Sequence, residues 1–138
     1  MSVPDWPPGT VTVLSTGGGP AHAIPVSAAL RADERTVLVA LALRRSSLTR
    51  LREDPRCALT VLGADLAFTA HATATVVEAP LAEAENVAAV RLDVHDVQDH
   101  RAPAFVLRAP VEWDWVDDEA RSRDAAVRAG LARLGAGR

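Results

Sequence analysis

The chain has 138 residues, 49% hydrophobic and 24% charged, which fits one globular domain with a substantial core. A formal net charge of −3, with no broad basic face, argues against binding along a nucleic-acid backbone. All fifteen basic residues are arginine, which excludes Schiff-base lysine chemistry and a Walker-type lysine and leaves planar guanidinium groups to hold any phosphate.

The single Cys57 cannot form an internal disulfide and fits a reducing compartment. No apolar run reaches membrane-spanning length, and the opening MSVPDWPPGT lacks the charged-then-apolar order of a signal peptide. The expected location is cytoplasmic.

Residues 1–9, with Pro4, Pro7 and Pro8, read as an extended lead-in lying on the surface. Residues 10–16 are β-branched and alternating, so a strand is expected, followed by a turn at Gly17, Gly18, Gly19 and Pro20. A phosphate loop at these glycines is disfavoured, because no helix follows and the loop's Lys and Ser/Thr are missing. Residues 22–30 continue as a second strand. Pro25 inside it cannot donate to a ladder, which places the strand at an edge or at a bulge.

Residues 35–43 are apolar on both faces and read as a buried third strand. That strand runs into Arg44-Arg45-Ser46-Ser47 and a short helix in which Leu48 and Leu51 share a face. Ser46 or Ser47 suits the N-cap, and Asp54-Pro55 stops the helix. Unpaired N–H groups at a helix start, together with the helix dipole, favour an anion, so this corner is a candidate phosphate seat. Neighbouring strand residues point to opposite faces, so Arg44 and Arg45 converge on one phosphate only if the chain turns between them. The competing reading is a solvated basic corner with an ordinary serine cap.

A fourth strand is expected over residues 56–62 and a fifth over 66–78. In the fifth, Phe68, Ala70, Ala72, Ala74 and Val76 alternate with Thr69, His71, Thr73 and Thr75. Residues 79–85 form a connection with some helical tendency. Residues 86–98 fit helix and strand equally well. Residues 104–116 read as a further strand, with Trp113 and Trp115 on one face and Pro110 marking a bulge or edge. A helix over 117–133 begins with Asp117, Asp118 and Glu119 and ends near Arg128 and Arg133, which complements its dipole; Val127, Leu131 and Leu134 form its apolar stripe. One domain is expected: a mostly antiparallel sheet closing on itself, with two helices.

Other constellations are weaker. His95, Asp96, Asp99 and His100 resemble a metal cluster, but His95 and Asp99 share a strand face that His100 does not, and no HExxH or cysteine ligands accompany them. No metal is expected, and His100 is kept only as an outside candidate for a substrate contact. His71 reads as a hydrogen-bonded surface or interface histidine. His22, beside the glycine turn, is a better candidate for lining a pocket. Cys57 reads as buried and inert. No GxSxG elbow is present, and no side chain stands out as a catalytic acid or base.

Three stretches then carry a resemblance: His22-Ala23-Ile24-Pro25-Val26-Ser27; the strand, corner and helix ending Leu51-Arg52-Glu53-Asp54-Pro55-Arg56; and the strand over 67–78. The sequence resembles the FMN-binding split β-barrel family of pyridoxamine 5′-phosphate oxidase-like and flavin- or deazaflavin-dependent oxidoreductases. The resemblance implies a mostly β fold, a six- or seven-stranded antiparallel split barrel with a short helix after the third strand and a C-terminal helix. It also implies a homodimer with two flavin sites at its interface. Carried over, Pro25, Val26 and Ser27 would back the flavin ring and Leu41, Ala42 and Leu43 would flank its edge. Arg44, Arg45, Ser46 and Ser47 would hold the ribityl phosphate, with Arg50 adding charge. Ser47 and Arg50 stand where many relatives carry Lys and Asn, so Arg44 or Arg45 must replace the lysine charge. The resemblance resolves the ambiguous segment as a strand over about 88–97, paired with 105–115.

The expected function is a flavin-dependent oxidoreductase that moves hydride or electrons to or from a small organic substrate, with FMN as cofactor. Two alternatives share the fold: use of deazaflavin coenzyme F-420, suggested by the Arg- and Ala-rich, Lys-free composition, and a non-enzymatic protein that carries flavin or another ligand.

Overall fold

The computed structural model describes residues 1–101 and 105–137. Seven strands form one antiparallel sheet: β1 (Thr12–Thr16), β2 (His22–Val26), β3 (Ala29–Asp33), β4 (Thr36–Ala42), β5 (Arg56–Gly63), β6 (Leu66–Glu78) and β7 (Val87–Asp99). Helix α1 (Ser46–Glu53) joins β4 to β5, and α2 (Asp118–Ala136) follows the sheet. The strand order is β2-β1-β5-β6-β7-β4-β3.

That order forces the sheet to curl. β2 and β3 sit at its opposite edges, yet only Ser27 and Ala28 separate them in the chain. From Val26 to Ala29 the backbone spans at most about 11 Å, whereas six flat inter-strand spacings cover roughly 29 Å. The two edges must therefore approach one another, giving a half-open barrel. The Ala40 amide donates to the Ala28 carbonyl at 3.1 Å, which ties the crossing to β4.

The curled sheet buries both faces. Inside it, Leu14, Val37, Val39, Leu59, Val61, Phe68, Val90 and Leu92 pack with Leu48 and Leu51 of α1. On the outer side, Val127 and Leu131 of α2 pack with Leu38, Leu81 and Ala89. Alternate residues of β4 thus enter different cores, Val37 and Val39 on one side and Leu38 on the other. The unbroken apolar run of β4 reports this two-sided burial.

β6 covers the expected residues, and residues 87–99 form a strand. Four expectations are corrected. The strand expected over 22–30 is two strands, because the chain changes sheet edge at Ser27-Ala28. Residues 105–116 form no strand and do not pair with β7; Ala104 lies outside the described residues. Over residues 89–93 β7 is already bonded to β6 on one side and β4 on the other, so that part of the expected pairing partner has no open edge. The lead-in lies on the surface only in part: Pro7 and Pro8 are exposed, but Val3 and Trp6 are buried, and the Trp6 ring lies 5.9 Å from Phe68. Residues 79–85 form turns rather than helix.

α2 starts as its sequence implies, with Asp117 accepting from the Ala120 amide at 2.8 Å. It packs tightly on the turn after β6 at Gly130, where a Cβ would lie 2.8 Å from both Leu81 Cδ2 and Glu83 Oε1. Gly130→Ala would gain up to about 1 kcal/mol in helix propensity but lose about 1–3 kcal/mol to overpacking. The expected outcome is a net loss of stability of up to about 2 kcal/mol, read as a lower urea midpoint at unchanged m-value.

Candidate functional site

The edge crossing leaves a cavity of about 710 Å³. One wall is the β2–β3 corner, from Ile24 through Pro25, Val26 and Ser27 to Ala28. A second is the end of β4, with Ala40, Leu41 and Ala42. The 82–87 loop and the first half of α2 complete it, with Arg45 and Trp115 also lining it. Pro25 is on an edge strand, as its missing N–H requires. Thr12 Oγ1 donates to the Val26 carbonyl at 3.0 Å, and Arg128 of α2 donates to the Ser27 carbonyl at 2.6 Å, so this corner is held from both sides.

At the end of β4 the chain turns sharply. The Leu43 amide donates to the Asn86 carbonyl at 2.9 Å, and the Arg45 amide to the Ala42 carbonyl at 3.0 Å. Arg45, rather than either serine, occupies the N-cap position of α1, and no side chain caps the helix. Its first turn also carries no acidic residue. The helix start therefore has neither a side-chain cap nor a first-turn carboxylate to offset its positive end.

The structure brings together Pro25, Val26, Ser27, Leu41, Ala42 and Arg45 of the sequence-derived candidates. Leu43, Arg44 and Ser46 are exposed and do not line the cavity. Ser47 is fully buried, with its Oγ 3.1 Å from His22 Nε2. Arg50 reaches across to the glycine turn, donating to the Pro20 carbonyl at 2.8 Å and, more weakly, to Gly17. Ser47 and Arg50 thus hold the β1–β2 hairpin against α1 and do not face the cavity. His22 belongs to that tie and does not line the cavity. Sequence reasoning missed the 82–87 loop and α2 as walls, because neither carries a motif. The only available signal was Ala120, Val127 and the surrounding small residues of the tail helix.

The electrostatics are uneven. Of the five charged groups lining the cavity, Glu83 pairs with Arg133 at 2.7 Å, Arg123 with Glu119 at 3.0 Å, and Asp124 with Arg128 at 2.6 Å, while the exposed Glu85 makes no ion pair among the described residues. Arg45 makes no ion pair among the described residues and is exposed. It is the cation left for an anionic ligand. The other chemistry-bearing residues are engaged elsewhere: His100 Nε2 lies 2.7 Å from Thr69 Oγ1, His71 Nε2 lies 2.9 Å from Gln98 Oε1, and Asp99 pairs with Arg101. Cys57 is buried, and desolvation pushes its thiol up to about 12, which leaves it unreactive as a nucleophile. No helix among the described residues is long and apolar enough to cross a membrane.

No family model matches the sequence, nor does any curated relative. Solved structures share the fold. A pyridoxamine 5′-phosphate oxidase-like protein of Lactobacillus delbrueckii superposes with a TM-score of 0.57 at 19% identity, over 64% of this chain and 84% of that one. One from Listeria innocua gives 0.56 at 12% identity, over 67% and 90%. BorF, the flavin reductase component of a bacterial two-component tryptophan halogenase, gives 0.55 at 15% identity, over 68% and 81%.

Two outcomes follow from this geometry. His22→Ala would leave Ser47 Oγ buried without its partner, costing about 1–3 kcal/mol, and adding Ser47→Ala should restore part of that loss. A double-mutant cycle on urea stability measures the coupling. Arg133 bonds hold the Glu83 carboxyl below its ordinary range, and for Glu78 the Ala82 amide acts first and Arg133 second. A depressed carboxylate stabilises the fold above its unfolded pKa of about 4.3 and ceases to do so as pH falls through the lower folded value. Thermal stability should therefore fall as pH drops below about 4.3, and Arg133→Gln should flatten that part of the profile.

Proposed function

From a chain with the split β-barrel fold of pyridoxamine 5′-phosphate oxidase-like proteins and flavin reductases, we propose that it binds a flavin, FMN, in the cavity at the edge crossing. In this reading it passes hydride or electrons between a reduced partner and a small organic substrate. The observation that carries the reading is one cavity joining the Pro25-Val26-Ser27 wall, the end of β4 and the unpaired Arg45. Its volume of about 710 Å³ lies within the roughly 300–1,000 Å³ typical of small-molecule and cofactor sites.

The residues present fit the group. Ile24, Val26, Leu41 and Val127 offer an apolar surface for a planar ring, while Arg45 and the uncapped α1 start suit a phosphate. A helix start contributes about 0.3–1 kcal/mol to an anion, up to about 2 when partly buried. A micromolar complex requires about 8 kcal/mol, so ring burial and Arg45 must supply most of the affinity. A bound flavin would bring the redox chemistry, and the chain's residues bind it, orient it and exclude water around it. The proposal includes a homodimer with the cavity at its interface, and exposed Leu43, Leu62, Phe105 and Val111 provide apolar surface for a second copy.

Absorbance titrations of the purified protein with FMN, riboflavin and deazaflavin coenzyme test this reading. Tightest binding is expected for FMN, and a protein that binds none of the three would refute it. Preference for the deazaflavin would move the proposal to that cofactor. Reduction of the bound cofactor by NADPH or reduced deazaflavin distinguishes an enzyme from a carrier. Arg45→Ala should weaken FMN about ten- to a hundredfold, the value of a charge-assisted hydrogen bond, and riboflavin far less. Arg44→Ala should have the smaller effect. Equal losses for FMN and riboflavin in Arg45→Ala would place the phosphate elsewhere.

A further inference from the structure

Trp115 is the one aromatic side chain among the described residues that line the cavity. Neither it nor Trp113 belongs to either hydrophobic core, although both are half-buried. Core packing therefore does not account for Trp115. Its placement is nevertheless specific. The Trp113 and Trp115 rings meet edge-on, with centroids 4.8 Å apart and planes at 88°. An edge-on contact leaves at least one face of each ring uncovered by the other.

The support for this pair comes from the far end of the chain. Trp113 Nε1 donates to the Gly9 carbonyl at 2.7 Å. Gly9 adopts a φ of +87°, a left-handed conformation that suits glycine, and the turn before it is closed by Thr10, whose amide and hydroxyl both donate to the Pro7 carbonyl. Two residues beyond Trp115, Asp117 caps α2. The indole is thus bracketed by a fixed ring on one side and a helix cap on the other. This rigidity is what a stacking wall needs, because an aromatic surface ordered in advance loses little entropy when a ligand arrives.

We infer that Trp115 is the stacking wall for the isoalloxazine ring, supplied by the same chain that provides the cavity, with Trp113 as its positioning residue. The inference rests on the flavin reading above, and it adds an aromatic surface to the aliphatic one that β2 and β4 give the same cavity. Trp113 acts only through Trp115: its bond to the Gly9 carbonyl fixes the angle at which the second indole meets the cavity.

The test uses a property that a packing role would not move. An indole in contact with an excited flavin donates one electron to it, the electron then returns without net chemistry, and emission is lost. FMN is added to the native full-length chain, Trp115→Leu, Trp115→Phe and Trp113→Phe. Occupancy is measured by equilibrium dialysis and emission is recorded per bound flavin. The native complex should be strongly quenched, with several-fold recovery in Trp115→Leu and a smaller one in Trp115→Phe. Trp115→Leu should also bind FMN roughly three- to tenfold more weakly, the worth of one aromatic contact. Trp113→Phe should give partial recovery with a broadened emission lifetime. If Trp115→Leu binds FMN as tightly as the native chain and stays quenched, the inference is overturned while the flavin reading stands. If the native chain binds no FMN by dialysis, both fall. Trp115→Phe keeps the test decisive should the leucine variant fold poorly.

Discussion

The rest of the molecule depends on the two-residue step from β2 to β3. Only Ser27 and Ala28 connect strands at opposite edges of a seven-stranded sheet, so the chain's short reach compels the sheet to curl. Curling encloses the inner core and lets β4 bury both of its faces. It also produces the site. Backbone at the crossing lies outside the regular ladders, and its polar groups are met one at a time. Ala40 bonds the Ala28 carbonyl and Arg128 bonds the Ser27 carbonyl. The cavity lies where the two sheet edges approach without merging.

The arginines divide their work according to that geometry. Arg50 is committed to the glycine turn and Arg128 to the crossing, while Arg133 bridges α2 to Glu78 and Glu83. These fasten elements together. Arg45 follows the end of β4, where the strand has turned; it makes no ion pair among the described residues, although Glu85 lines the same cavity. A cation with no protein partner beside an uncapped helix start is costly to leave without a counter-charge only if water is excluded. Exposed, it costs little and retains its capacity for an anion. Because the chain has no lysine, replacing Arg45 removes both charge and fork, and no nearby ammonium can substitute.

Much of the fold was legible because local pattern and final environment agree. The alternation of Phe68, Ala70, Ala72 and Ala74 defined β6, and Asp117 with the apolar Val127 and Leu131 defined α2. What failed was what periodicity does not encode. Residues 105–116 carry strand-like composition, but pairing needs an open edge, and β7 has both sides occupied over residues 89–93. Nothing between His22 and Leu30 signals a change of edge except Pro25, which marks an edge without saying which. The serines after Arg45 suit a cap by type, yet Ser47 turns inward to His22, a contact 25 residues away in the chain. The candidate site was half legible for the same reason. Its β2 and β4 walls are local motifs, whereas the 82–87 loop, α2 and Trp115 arrive through tertiary packing.

α2 is the wall with the least uniform anchoring, and its energetics are graded along its length. Val127 and Leu131 are buried in the second core, each worth about 1.5–3 kcal/mol on removal from water. Before Val127, only Ala120 is buried, and the pairs Arg121–Asp118 and Arg123–Glu119 are exposed, so each contributes about 0–1 kcal/mol. The first half of α2, which faces the cavity, is therefore held chiefly by the Asp117 cap and the Asp124–Arg128–Ser27 chain. The second half is fixed by close packing, in which even a methyl group at Gly130 would press on Leu81 and Glu83. Among the described residues that line the cavity, the one aromatic ring is not carried by α2: it is Trp115, in contact with Trp113, which is anchored to the Gly9 carbonyl.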